Sequence, residues 1–266
     1  MKYSKLTFVA TTFFLAGLFI GCNSGGNSGS EGDNTTDSVA DQSSMGDPMT
    51  DMEPKTVYCL YNNNSVREEP HSQGKYMTAL RLGETVTFLG EVAYDSAKDM
   101  REYIKIELSD GKQGWCTRNL MLMEGTLAVT LEEVSMFNRP DLLTKNDKTI
   151  PRMVIVGLYN PKDDWTEIKG IPPGETWYTS GWTKSPRVST DEEDIAAAYM
   201  ISQALSMDDD EKMKEALESA LSTFSNSEFA VDASELLVEM AEAAEMELDE
   251  AIDGAIDEVM EEEGEM

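Results

Sequence analysis

The feature that most restricts this chain is a repeat. Between about residues 57 and 186, short β-branched and aromatic runs separated by Gly, Pro, Asn and Asp occur twice in the same order. Ser65-Val66-Arg67-Glu68-Glu69-Pro70 aligns with Ser135-Met136-Phe137-Asn138-Arg139-Pro140. Thr85-Val86-Thr87-Phe88-Leu89-Gly90 aligns with Arg152-Met153-Val154-Ile155-Val156-Gly157. Tyr103-Ile104-Lys105-Ile106 falls opposite Trp165-Thr166-Glu167-Ile168, and Gly114-Trp115-Cys116-Thr117 opposite Gly181-Trp182-Thr183-Lys184. A unit written twice must bury an apolar face twice, so the middle of the chain is expected to form two small all-β units of one design. Val86 and Phe88 alternate with Thr85 and Thr87, as in a half-buried strand. Asp110-Gly111 between two strand-like runs is a hairpin signal, because a primed turn needs positive φ.

At these residues the chain resembles the bacterial SH3 family. That family's pattern is a short strand, an N-V-R-x-x-P loop, a G-x-x-V-x-V-L strand, a W-x-x-V strand and a closing D-G-x-x-G-W-V. The first copy supplies Ser65-Val66-Arg67 with Pro70, Leu82 to Leu89, Tyr103 to Ile106, and Asp110 to Cys116. The second keeps Trp165 and Gly181-Trp182, lacks the loop arginine, and has Thr149 where glycine would precede the central strand. The resemblance implies an α+β, multi-unit chain: two small SH3-like all-β barrels, at residues 55–124 and 125–188, followed by an acidic helical region at 189–266. It also implies a groove with aromatic walls for a peptidoglycan stem or cross-bridge peptide. Trp165, Trp177, Tyr178 and Tyr103 are the candidate ligand contacts, whereas Trp115 and Trp182 match core-facing positions. In such a barrel Cys59 and Cys116 would lie on neighbouring strands, and a disulfide between them is expected in an oxidising compartment. Closing that loop would contribute about 4 kcal/mol in the chain-entropy model. Two buried free thiols are the alternative.

The first 22 residues look like an export signal. Lys2 and Lys5 precede an apolar run from Leu6 to Ile20, too short and wrongly flanked for a spanning helix. The run ends in Leu18-Phe19-Ile20-Gly21-Cys22, which resembles a bacterial lipobox with Phe19 where Leu is usual. The resemblance implies cleavage before Cys22 and acylation of that cysteine, with several chains holding the protein at a bilayer where one would bind only reversibly. Asn23, rather than Asp, points by the same resemblance to the outer membrane. Residues 23–54 hold no Lys, Arg or aromatic residue and are rich in Ser, Gly, Asn, Asp and Thr, which reads as a disordered tether. As a flexible coil it would reach about 30 Å.

From Ser189 onward the chain carries 26 acidic residues against Lys212 and Lys214, so most of its net charge of -30 lies here. Apolar residues recur at helical spacing. Thr190 with Glu193 reads as a capping box for a first helix reaching about Leu205. Met213, Leu217, Ala220, Leu221 and Phe224 form the stripe of a second helix. Phe229, Ala233, Leu236, Leu237, Met240, Ala244, Leu248, Ile252 and Val259 form that of a long third. Asp208-Asp209-Asp210 and Ser225-Asn226-Ser227 are the breaks. The acidic runs lack the twelve-residue calcium-loop pattern.

Composition removes several classes of function. A chain with 51 acidic and 21 basic side chains has no basic face for nucleic acid. One histidine, His71, excludes any site needing two, and three cysteines exclude a four-thiolate zinc site. No phosphate-cradling glycine loop is present, no carboxylate pair sits in an apolar setting, and no cofactor is implied. The expectation is therefore a non-enzymatic envelope lipoprotein, membrane-held through its N-terminal lipid and binding peptidoglycan peptide or another envelope component. The alternative is a scaffold, assembly or host-interacting surface protein whose acidic helices bind a protein partner.

Overall fold

The computed structural model describes residues 49–50, 53–97 and 100–264. The expected export signal, Cys22 and residues 23–48 of the expected tether lie outside the described residues. The first sheet consists of β1 (Met49–Thr50), which falls within the segment expected to be a disordered tether, and of the first copy's β2 (Lys55–Cys59), β3 (Asn64–Arg67), β4 (Tyr76–Leu80), β5 (Thr85–Asp95), β6 (Arg101–Glu107), β7 (Gln113–Thr117) and β8 (Met121–Leu122). The second consists of β9 (Thr126–Thr130), β10 (Val134–Phe137), β11 (Lys145–Ile150), β12 (Ile155–Lys162), β13 (Trp165–Gly170), β14 (Thr179–Lys184) and β15 (Val188–Ser189). Three helices follow: α1 (Glu192–Ala204), α2 (Asp210–Thr223) and α3 (Ala230–Gly264).

Both copies build an antiparallel sheet with one topology. The first runs β4-β3-β7-β6-β5-β2-β8, with β1 added beside β5, and the second runs β11-β10-β14-β13-β12-β9-β15. Even the short central contact repeats, since Arg67 pairs with Trp115 and Phe137 with Trp182. Val57, Phe88, Ile104, Ile106 and Cys116 from four strands of the first sheet share one buried cluster, so that sheet curls around its core. Val134, Met136, Ile150, Val156 and Ile168 do the same in the second.

The two closed SH3-like barrels implied by the resemblance are not what forms. Each sheet is open: among the described residues its end strands, β4 and β8 or β11 and β15, do not bond to each other. The end strands β8 and β15 are two residues long and already pair with β2 and β9, so too few backbone groups remain to close a ring. The chain is a mostly β fold of two half-barrel sheets with a helical tail.

The sheets meet at a seam made of Leu60, Leu122, Leu127 and Ile155. Two glycines set how closely they approach. A Cβ on Gly157 would come within 2.8 Å of Leu122 and 3.0 Å of Leu60. Gly125, in the link between β8 and β9, has φ +104°, and a Cβ there would lie 2.1 Å from the carbonyl oxygen of Leu158.

The helices pack on the second sheet through β9. Ala197, Ala198, Ile201, Leu217, Ala220, Phe229 and Ala233 form one buried cluster with Val129 of β9. The cap of α1 is Asp191, which accepts from Glu193 N at 2.8 Å, rather than the expected Thr190. Asp209 caps α2 by accepting from Lys212 N at 3.0 Å. The alignment places Arg152 at the start of a strand, but it sits in the turn before β12 and holds the helices. Its guanidinium donates to both carboxylate oxygens of Asp232 (3.0 and 2.8 Å), to Glu228 O (2.9 Å) and to Leu131 O, and lies 4.8 Å from the Phe229 ring. Beside it the buried Asp194 accepts from Ser227 Oγ and Glu228 N, both at 2.8 Å, and from Ser189 Oγ. Burial works against its charge, but these donors and Arg152 prevail, so its carboxyl titrates below the ordinary range.

The two glycines should differ in cost. Gly125→Ala forces a side chain against backbone in a left-handed conformation and is expected to cost about 2–3 kcal/mol. Gly157→Ala meets only movable leucine ends and is expected to cost about 1 kcal/mol. Urea denaturation checks the order, and the reverse order would show that side-chain packing sets the seam. Arg152→Ala is expected to cost about 1–3 kcal/mol, less than a fully buried pair because its side chains remain partly exposed. Hydrogen exchange should rise in α1 to α3 before it rises in the first sheet. Because Asp194 has a depressed value, its contribution is full above the unfolded carboxyl range near pH ~4 and is lost as pH falls through its own lower value. The helices of the parent protein should therefore loosen only in that acid window.

Candidate functional site

The seam between the sheets opens on one side into a cleft of about 700 Å³. Its floor is apolar, from Leu60, Met121 and Leu122, and its walls carry Arg101, Arg118 and Lys169. Arg101 begins β6 and Arg118 follows β7, in the first sheet, while Lys169 comes from β13 of the second. Neither sheet alone makes this lining.

Lys169 is half-buried against Tyr178, its Nζ lying 3.9 Å from the ring centroid, and donates to Asn119 O at 3.0 Å. Burial pushes its pKa below that of an ordinary lysine. Arg118 is paired with Glu102. Tyr159 also lines the cleft, and burial followed by the nearby Glu167 raises its phenol, keeping it a hydroxyl donor at neutral pH. A cavity with an apolar floor and a few cationic and hydroxyl groups above it suits a small anionic ligand with an apolar portion.

The four aromatic residues expected to share a ligand wall do not come together. Tyr103 is only 2 % exposed and packs with Trp115 and Ala93. Trp165 is half-buried, edge-on to Phe137 with ring centroids 5.0 Å apart. Trp177 is open to solvent, at 78 % exposure. The next residue, Tyr178, turns into the seam, its ring 6.4 Å from that of Tyr61, and its buried hydroxyl has no partner among the described residues. Tyr178 therefore reaches the cleft from behind, through Lys169. Sequence reasoning missed Arg101, Arg118 and Lys169, and their spacing of 17 and 51 positions carries no local signal. A second cleft of about 780 Å³ lies between the first sheet and α1, but there Arg81 is offset by Glu84 and Glu192.

Cys59 and Cys116 are free buried thiols in the structure. Their strands are not neighbours, as β6 and β5 lie between β7 and β2 in the sheet order. Cys59 donates to Tyr61 O at 3.0 Å. Burial pushes the Cys59 thiol up to about 11 and Cys116 higher still, with Cys59 adding to the second effect. Such thiols are unreactive at neutral pH. His71 is half-exposed in the loop after Pro70. Backbone N–H groups of Ser72 and Ala97, each at 3.0 Å, bind Asp95 and hold its carboxyl below the usual range, pinning that loop. Among the described residues no cluster of His, Cys, Asp and Glu could hold a metal ion, and no helix is long and apolar enough to cross a membrane.

No family model matches the chain, and no curated protein is detectably similar to it. Among solved structures it is similar to NlpC2 from Trichomonas vaginalis, at 11 % identity and a TM-score of 0.21, over 64 % of this chain and 56 % of that one. NlpC1 from the same organism gives 11 % and 0.20, over 60 % and 56 %. The chain thus spans little more than half the length of either, and likeness at this level carries no argument about fold or activity.

Thiol labelling tests the cysteine chemistry. Neither Cys59 nor Cys116 should react with an uncharged maleimide in the native protein at pH 7, and both should react after denaturation without reductant. Labelling that appears only after reduction would instead reveal a bridge.

Proposed function

We propose that this protein is a lipid-anchored envelope protein that acts by binding rather than by chemistry, taking peptidoglycan peptide or another envelope component in the cleft between its sheets. The observation that carries the reading is the lining of that cleft, where Arg101, Arg118 and Lys169 face Glu102 and Glu124 in a chain otherwise dominated by acids. The apolar run ending at Cys22 and the likeness of the repeat to the bacterial SH3 family support it. The anchor supplies location and the low-complexity segment supplies reach, so the folded part needs only to recognise a ligand.

A second reading, a scaffold that docks a protein partner, has one feature in its favour. Beyond Ala244, where α3 leaves the groove it makes with α2, the helix runs on to Gly264 with Met246 and Ile252 exposed. Removing residues 246–266 separates the readings without disturbing the helices packed on β9.

The purified protein should pellet with sacculi, and truncation after Glu245 should leave pelleting unchanged. Pelleting no greater than that of the heat-denatured protein would end the envelope-binding reading. Loss of crosslinked partners on truncation, with no pelleting in either form, would favour the scaffold. Cys22→Ser should abolish incorporation of labelled palmitate and move the protein from the detergent to the aqueous phase.

A further inference from the structure

The charge balance of the chain reverses inside the seam cleft. Of the two carboxylates that line it among the described residues, Glu102 is paired with Arg118, and Glu124 lies 3.3 Å from Lys55. Arg101 and Lys169 have no carboxylate partner among the described residues. Lys169 makes one hydrogen bond, to Asn119 O, so two of its three ammonium protons are without a protein acceptor there. Half-buried over Tyr178, that ammonium is short of water and of counter-charge together.

We propose that the group held in this cleft is the free carboxylate of a short peptide, bound by Lys169 and the Arg101 guanidinium, with the adjoining side chain on Leu60, Met121 and Leu122. This rests on the reading of the cleft as the binding surface. A planar guanidinium fits a carboxylate with two parallel hydrogen bonds, and the ammonium adds a charge at close range. The apolar floor requires the anion to carry an apolar portion, which a peptide terminus does and inorganic phosphate does not. The cleft volume, about 700 Å³, lies within the range of small-ligand sites and has room for two or three residues. The depressed pKa of Lys169 agrees with this, since an arriving carboxylate restores the charge that burial disfavours. Affinity should hold at neutral pH and fall as pH rises through the lysine's lowered pKa.

Isothermal titration calorimetry on the full chain in detergent tests the proposal with three probes: N-acetyl-Ala-Ala, its C-terminal amide, and inorganic phosphate. The acid should bind about tenfold or more tighter than the amide, as expected from charge-assisted hydrogen bonds. Phosphate should not compete. Lys169→Met and Arg101→Gln should each weaken the acid about tenfold and leave the amide unchanged. Arg101 is exposed, so R101Q keeps the test sharp if K169M destabilises the seam. Equal binding of acid and amide, effective competition by phosphate, no binding of the acid, or full acid affinity in R101Q would each overturn the proposal. Sacculus pelleting separates this from the broader reading. Acid-over-amide discrimination without pelleting would sink only the envelope function, and pelleting that survives both substitutions would sink only the carboxylate site.

Discussion

Backbone approach at the seam governs the rest of the molecule. The link between the sheets turns at Gly125, where a left-handed backbone lies against the carbonyl of Leu158, and a bare α-carbon at Gly157 lets Leu60 and Leu122 rest on the second sheet. Four apolar residues then close over one another, and the remaining width of the seam becomes a cleft. A wider approach would leave Leu60, Leu122, Leu127 and Ile155 partly wetted, at about 25 cal/mol for each Å² exposed. It would also separate Lys169 of one sheet from Asn119 of the other, a contact that spans 50 positions. Packing and site are thus one feature.

The helical tail shows how strongly like-charged segments join a fold. Most of the net charge lies after Ser189, yet α1 sits directly on β9 and α2 packs on α1. The apolar contact of Phe229, Ile201 and Leu217 provides the area, and one arginine from the second sheet provides the counter-charge. Arg152 meets Asp232 in a two-point contact, stacks on Phe229 and lies near Asp194, so one cation serves the turn between α2 and α3 and the start of α1. Glu211, Glu215, Glu218, Glu235, Glu239 and Glu242 face solvent. Past Ala244 the sequence of α3 continues with acids at Glu245, Asp249, Asp253, Asp257 and Glu261.

Much of this architecture was legible because local physics wrote it into adjacent residues. The Gly-Trp pairs marked the repeat for a structural reason: a Cβ on Gly114 would lie 2.6 Å from Val66, so the motif records the crossing of β3 and β7. The apolar stripes of α2, and of α3 as far as Met240, follow the period that buries them, whereas Ala244 and Ile252 farther along α3 are exposed. Closure of the sheets was not legible. It depends on whether β4 and β8 have spare backbone groups, and strand length at a sheet end is set by neighbours rather than by pattern. The same limit applied to the aromatic residues. Tyr103 and Trp165 read as ligand contacts by resemblance to the SH3 family, whereas their strand register turns one into the core and the other onto Phe137. Arg101, Arg118 and Lys169 are brought together by the seam, a tertiary contact between copies, and nothing within one copy announces it.

An anion site in so acidic a chain must act at short range. The summed field of 51 carboxylates repels an approaching anion, so steering cannot supply the association rate that basic proteins enjoy. At physiological ionic strength that field decays over about 8 Å, whereas a desolvated ammonium and a guanidinium in contact with a carboxylate are screened far less. Recognition then depends on contact geometry: anions that cannot place a carboxylate against Lys169 and Arg101 meet only repulsion. On the proposed reading of the cleft, the acidic surface would work as a filter, discouraging polyanions while admitting a small carboxylate whose apolar side gains from burial on Leu60 and Leu122.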